Sequence, residues 1–333
     1  MGNYCPEGAQ AAIPCPAGTY NAFDNNAQTC LECPAGKYCP GSGTQVPPKC
    51  PPGKYSDKGA SVCLFCEVGT YCPNEATTVD EKNNLMCPAG VFCMRQVTDG
   101  GSTRNVGLDV YPNLRDHYCT EGYYCIEGAT SKSECPPGTY NRLRGRKSLL
   151  DCQKVEAGFY TNVPASAAPT GPCDPGFYCP EGSTSAQQVP CPAGTFRSIP
   201  KGSKPEDCTI CTSGGYCPLA GMSLPLPCPA GFYCPIGTRY PEACPEGTYS
   251  NVLGLTDSQS CSLCDPGKYC GRKNLTAPQG DCDDGYLCIK GSKRPEPTDK
   301  VTGSICPEGG YCLKGAVGPS WCPDGNFNLF EGG

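Results

Sequence analysis

The chain has 333 residues, with 32 Cys, 43 Gly and 37 Pro, and 26 basic against 32 acidic residues give it a net charge of −6. Cysteine at about a tenth of all positions excludes an ordinary globular enzyme, and glycine without a three-residue period excludes collagen. With Cys subtracted, the 38% hydrophobic fraction is too small to fill one large interior, and the acidic balance argues against nucleic acid or an anionic membrane as partner.

An even number of thiols at this density is the mark of a disulfide scaffold built in an oxidising compartment, so the protein is expected to be extracellular or at the cell surface. No stretch approaches the ~20 apolar residues of a membrane span. The start, Met1-Gly2-Asn3-Tyr4-Cys5, lacks the basic and apolar regions of a secretory signal, which suggests a window on a longer array with no membrane insertion of its own.

One phrase recurs along the chain: Cys, two residues, Gly, one residue, an aromatic, Cys. It closes ten short couples: Cys33 and Cys39, Cys66 and Cys72, Cys87 and Cys93, Cys119 and Cys125, Cys173 and Cys179, Cys211 and Cys217, Cys228 and Cys234, Cys264 and Cys270, Cys282 and Cys288, Cys306 and Cys312. Only Leu287 replaces the aromatic. A second phrase lacks the closing Cys and is followed by a later one, giving Cys15 with Cys30, Cys50 with Cys63, Cys135 with Cys152, Cys191 with Cys208 and Cys244 with Cys261. At Val155 and Thr161 both thiols of a short couple are missing together while Gly158 and the aromatics survive. Joint loss marks partners, because losing one alone leaves a free thiol, and this assigns all fifteen pairs above as disulfides. Cys5 and Cys322 remain over; a bond between them requires the array to curl back.

Pro after the opening Cys and the Gly that follows build a tight turn, which brings the two thiols within reach. The aromatic is expected to pack on the neighbouring disulfide as a miniature core. In chain order the segments are residues 1–14 (end of a cut unit), 15–49 and 50–86 (repeat units), 87–134 (two short units around a long insertion, 94–118), 135–190 (a degenerate unit plus a short one), 191–243 (a unit plus a short one), 244–321 (a unit plus two short ones) and 322–333 (start of a cut unit). The expected fold class is small disulfide-rich repeats, irregular with short β-hairpins, in an elongated solenoid-like rod without a single large core.

The CPAGTY…CxxCPAGKYCP pattern, as at Cys15 to Cys39, resembles the ephrin-receptor-like cysteine-rich repeat, a relative of growth-factor-like and tumour-necrosis-receptor-like modules. The resemblance covers nearly the whole chain. It implies an extracellular stalk, adhesion surface or filament subunit and carries no catalytic residues.

Zinc is disfavoured because each CxxC is followed by a further Cys and His117 is the single His. Asp281, Asp283 and Asp284 lack the spaced ligands of a calcium loop, so no metal or cofactor is expected. Nothing has the makings of a catalytic triad, and the chain is expected not to be an enzyme. Asn274-Leu275-Thr276 is a glycosylation sequon. Thr161 to Pro172 has the composition of an O-glycosylated or extended spacer. Arg142, Arg144, Arg146 and Lys147 form either a solvated face or a site for a sulfated glycan. The insertion 94–118 holds Val106, Leu108, Val110, Tyr111 and Leu114 and is the candidate lateral contact. The sequence thus points to a non-enzymatic structural rod, a filament or surface-coat subunit that associates with itself or with other extracellular proteins; a receptor or adhesion ectodomain binding protein or glycan is the alternative.

Overall fold

The computed structural model describes residues 1–23, 27–72, 74–93 and 118–322. The described copies of the repeated phrase form a turn in which the carbonyl of the residue after the opening position, often Pro, accepts a hydrogen bond from the residue after the glycine, as from Thr19 N–H to Pro16 O at 3.0 Å. The threonine hydroxyl reinforces it on the same carbonyl at 2.7 Å. Gly18 sits at φ 84°, the left-handed conformation that the third position of such a turn demands.

From that turn the chain enters a two-residue strand that pairs antiparallel with the two residues before the next opening Cys. Phe177–Tyr178 lies against Val189–Pro190, and Phe232–Tyr233 against Glu242–Ala243. The hairpins are too short to be stable alone. Stability comes instead from what joins one turn to the next, and each turn with its following corner is here called a rung.

Four backbone hydrogen bonds join most successive rungs among the described residues; the step from the rung at Val155 to that at Cys173 has two, Cys173 N–H to Gly158 O and Gly158 N–H to Cys179 O. Between the rungs that open at Cys211 and Cys228, Cys228 N–H donates to Gly214 O (2.9 Å) and Gly214 N–H to Cys234 O (2.8 Å). Cys217 N–H donates to Thr238 O (2.9 Å), and Gly237 N–H, at the corner after the turn, reaches back to Cys211 O (2.8 Å). The same four bonds join the rung at Cys15 to that at Cys33, although the first has Asn21 where the second has its closing Cys39. They also join the rung at Cys135 to the one that opens with Val155. The ladder therefore does not depend on which disulfide a rung carries.

The interior is sulfur. Most cysteines are fully buried, whereas the aromatics before the closing position are mostly half-buried, with Tyr71 and Tyr140 the buried exceptions. The expectation that the ring packs on the neighbouring disulfide is met where the clusters show it: Tyr71 lies against Cys87 and Cys93, and Phe92 against Cys119 and Cys125, although most of the rings are only half-buried. Buried clusters are small, such as Tyr71 with Cys87, Val91 and Cys93, so no single large core exists among the described residues. The described residues hold one α-helix, Val79–Asn84, which starts at a capping box between Thr78 and Glu81.

The chain divides into two compact units. The first comprises Met1–Val155 with Thr161–Thr170, the second Glu156–Tyr160 with Gly171–Gly333, and the ladder runs within each.

Candidate functional site

Disulfides are the residues in which this chain invests its chemistry, and they come in two forms. In the short form the opening Cys bonds across its own turn: Cys33–Cys39, Cys66–Cys72, Cys87–Cys93, Cys119–Cys125, Cys173–Cys179, Cys211–Cys217, Cys228–Cys234, Cys264–Cys270, Cys282–Cys288 and Cys306–Cys312. In the long form it bonds just ahead of the next rung: Cys15–Cys30, Cys50–Cys63, Cys135–Cys152, Cys191–Cys208 and Cys244–Cys261. Cα separations of 5.7 Å for Cys15–Cys30 and 5.9 Å for Cys228–Cys234 fit ordinary disulfide geometry. Cys5 and Cys322 are free and not bonded to each other.

In three of the five long-form turns the closing position carries a polar side chain that ties its rung to the previous one, whereas Arg197 and Ser250, at that place in the other two, bond to carbonyls of their own loops. Asn141 is 2% exposed; its amide donates to Tyr123 O at 3.0 Å, and its oxygen accepts from Leu143 N–H at 2.9 Å. Asn21 does the same with Asn3 O and Phe23 N–H, and Ser56 donates to Lys37 O at 2.8 Å. These bridges escaped the sequence reading. Their signal is a buried polar residue six positions after a Cys that has no short partner, which composition alone does not single out.

The cations of the stretch Arg142 to Lys147 are largely occupied. Arg142 stacks over Tyr140 at 5.1 Å, Arg144 pairs with Glu121 at 3.0 Å and Arg146 faces Asp151 at 3.7 Å. Asp151 in turn accepts from Lys147 and Ser148 N–H, and these bonds, led by that from Lys147, hold its carboxyl below the usual range with a smaller contribution from the Arg146 charge. The cluster closes its own loop at Asp151 and ties it to the preceding turn at Glu121.

The three acids near Cys282 are drawn apart as well: Asp281 pairs with Lys268 at 2.9 Å across a strand pair, while Asp283 N–H donates to Pro295 O. Among the described residues no group of three or more metal-ligating side chains converges. His117 and residues 94–117 of the insertion lie outside the described residues; Tyr118 at its end bridges to Val91. Thr161 to Pro172 is no slack spacer: Ala165 N–H donates to Cys135 O, Ser166 O accepts from Asn141 N–H, and Gly171–Pro172 pairs with Phe159–Tyr160. Asn274 is an exposed corner residue at φ 57° whose N–H is held by Cys244 O.

A site the sequence reading missed is the carboxylate of Asp299. It accepts from Val301 N–H, Thr302 N–H, the Thr302 hydroxyl and Gly303 N–H, at 2.7 to 3.3 Å. The Thr302 hydroxyl leads these bonds in lowering its carboxyl from the ordinary 3.8 to about 2. The short spacing of Asp and Thr was the available signal. Around it Ser292, Lys293, Arg294, Glu296 and Pro297 line an open groove of about 230 Å³. Among the described residues no helix is long and apolar enough to cross a membrane.

No family model matches the chain. It is similar to ABC transporter G family member 25 of Oryza sativa subsp. japonica, with 28% identity over 60% of this chain and 18% of that protein. Cysteine repeat modular protein A of Toxoplasma gondii is 25% identical over 67% of this chain and 8% of its own length. The sushi, von Willebrand factor type A, EGF and pentraxin domain-containing protein 1 of Rattus norvegicus is 27% identical over 55% and 5%. The chain thus spans less than a fifth of each of these relatives. Together with its fifteen disulfides, this likeness makes it a disulfide-rich repeat protein of extracellular type.

Proposed function

We propose that the chain is a non-enzymatic extracellular spacer of the ephrin-receptor-like kind, a stiff stapled rod that builds or decorates a filament or surface coat by associating with copies of itself. The observation that carries this reading is the repeated ladder, in which rungs engage their neighbours through backbone atoms and most cysteines are fully buried. Such a construction spends its residues on continuity and leaves side chains on the outside free for contact: Ile199, Leu219, Ile236 and Val252, all at the same place on successive rungs, are each more than half exposed. Asn274, exposed at its corner, carries an N-linked glycan in this reading.

Sedimentation and electron microscopy of the oxidised protein over a concentration series test it. Concentration-dependent assembly is the expected result, and a chain that stays monomeric at the highest concentrations refutes the filament. The second reading, an adhesion or receptor ectodomain, is favoured by the small share that the matched stretch takes of its long relatives. It predicts a monomer that binds a separate protein or glycan.

A further inference from the structure

Two departures from the repeat coincide, beside a strained corner, in the rung that opens at Val155. The first is the missing staple. Val155 and Thr161 occupy the two places a short disulfide would join, and the chain runs from Cys152 to Cys173 without a cross-link. The second is an unmet polar group: Thr161 is fully buried, yet its hydroxyl has no hydrogen-bond partner. Asn21, Asn141 and Ser56, at the same place in other staple-free turns, each donate to the preceding rung. The corner adds strain that it shares with Ala76, Lys201 and Asn274: Ala165 takes a left-handed φ of 56° in a place filled by Gly43, Gly145, Gly221 and Gly254 in other rungs. A Cβ in that conformation is strained.

We propose that this rung is a built-in opening point, released by local unfolding while the disulfides stay intact. What holds it to the preceding rung is chiefly the four ladder bonds, at 2.8 to 3.0 Å, and the burial of Val155. In other rungs the same bonds are backed by a covalent staple or a bridging side chain, so a fluctuation that breaks them recloses at once. Here nothing covalent limits the excursion, and opening relieves both the stranded hydroxyl and the strained alanine. The run from Asn162 to Ala168, in which Ala165 and Ser166 are half-buried and held by the ladder, then becomes available to an extracellular protease that prefers small side chains.

Hydrogen exchange on the oxidised full chain tests the proposal. Ladder amides in residues 153–172 are expected to exchange roughly 10- to 100-fold faster than those in 173–190 and 228–243, the span expected for lacking one short staple. The double variant Val155→Cys with Thr161→Cys should close a disulfide, verified by non-reducing peptide mapping, and bring exchange down to the level of the stapled rungs. Thr161→Val should slow it several-fold by removing the unmet hydroxyl. Limited digestion with elastase should cut the parent between Ala165 and Ala168 and spare the double variant. Equal exchange in the parent, a new pair that fails to close, or a closed pair that leaves exchange unchanged would each overturn the proposal.

Discussion

Gly231 meets two demands at once. Its φ is 82°, and a Cβ added there would lie 2.5 Å from the carbonyl oxygen of Asn274, two rungs further on. Gly231→Ala should therefore lower stability by about 2 kcal/mol or more, read as a shift of the urea midpoint under oxidising conditions. Gly318→Ala, at ordinary φ with open space around it, should leave the midpoint unchanged. Asn141→Ala removes two partly buried hydrogen bonds and leaves Tyr123 O without this donor, so about 2 kcal/mol should be lost there by the same measurement. The turn glycines were legible in the sequence because one of their two demands, the turn, shows as a phrase. The corner residues were not, since Ala76, Ala165, Lys201 and Asn274 take left-handed φ without glycine to announce it.

At the scale of the rung, joint loss of two thiols made the alternation between short and long disulfides readable, because covalent partners must appear and vanish together. Nothing comparable marks the ladder, whose donors and acceptors are main-chain groups that every residue except proline supplies. The packing of the rings was legible, because an aromatic recurring just before a closing Cys signals contact with the next disulfide, as Tyr71 makes with Cys87 and Cys93 and Phe92 with Cys119 and Cys125. Capping acids give the rung its pH response. A carboxyl at about 2 in the folded chain, against an ordinary 3.8, favours the folded state above pH 4, and that contribution is lost as pH falls through about 2. Carbon-detected NMR titration should find Asp299 still ionised at pH 3, and Thr302→Val should move its midpoint upward by removing the leading donor.

For the molecule as a whole, nearest-neighbour bonding makes damage local. Replacing Cys228 and Cys234 together by Ser should speed hydrogen exchange in residues 211–250 and leave 282–312 untouched, whereas a change that spreads through the unit would mean that the rungs fold as one body. The ladder has a further consequence. Its donors and acceptors are the same from the rung at Cys191 to that at Cys264, so these rungs are interchangeable lengths of chain, and that stretch can be edited by whole rungs as a text is by lines. Removing residues 211–227 would place Cys228 directly after Ile210, restoring the spacing from Cys208 to the next opener and offering Gly194 the same partners it has now. A chain so shortened should fold with its other disulfides unchanged, and growth or loss by one rung would need no compensating substitution anywhere else.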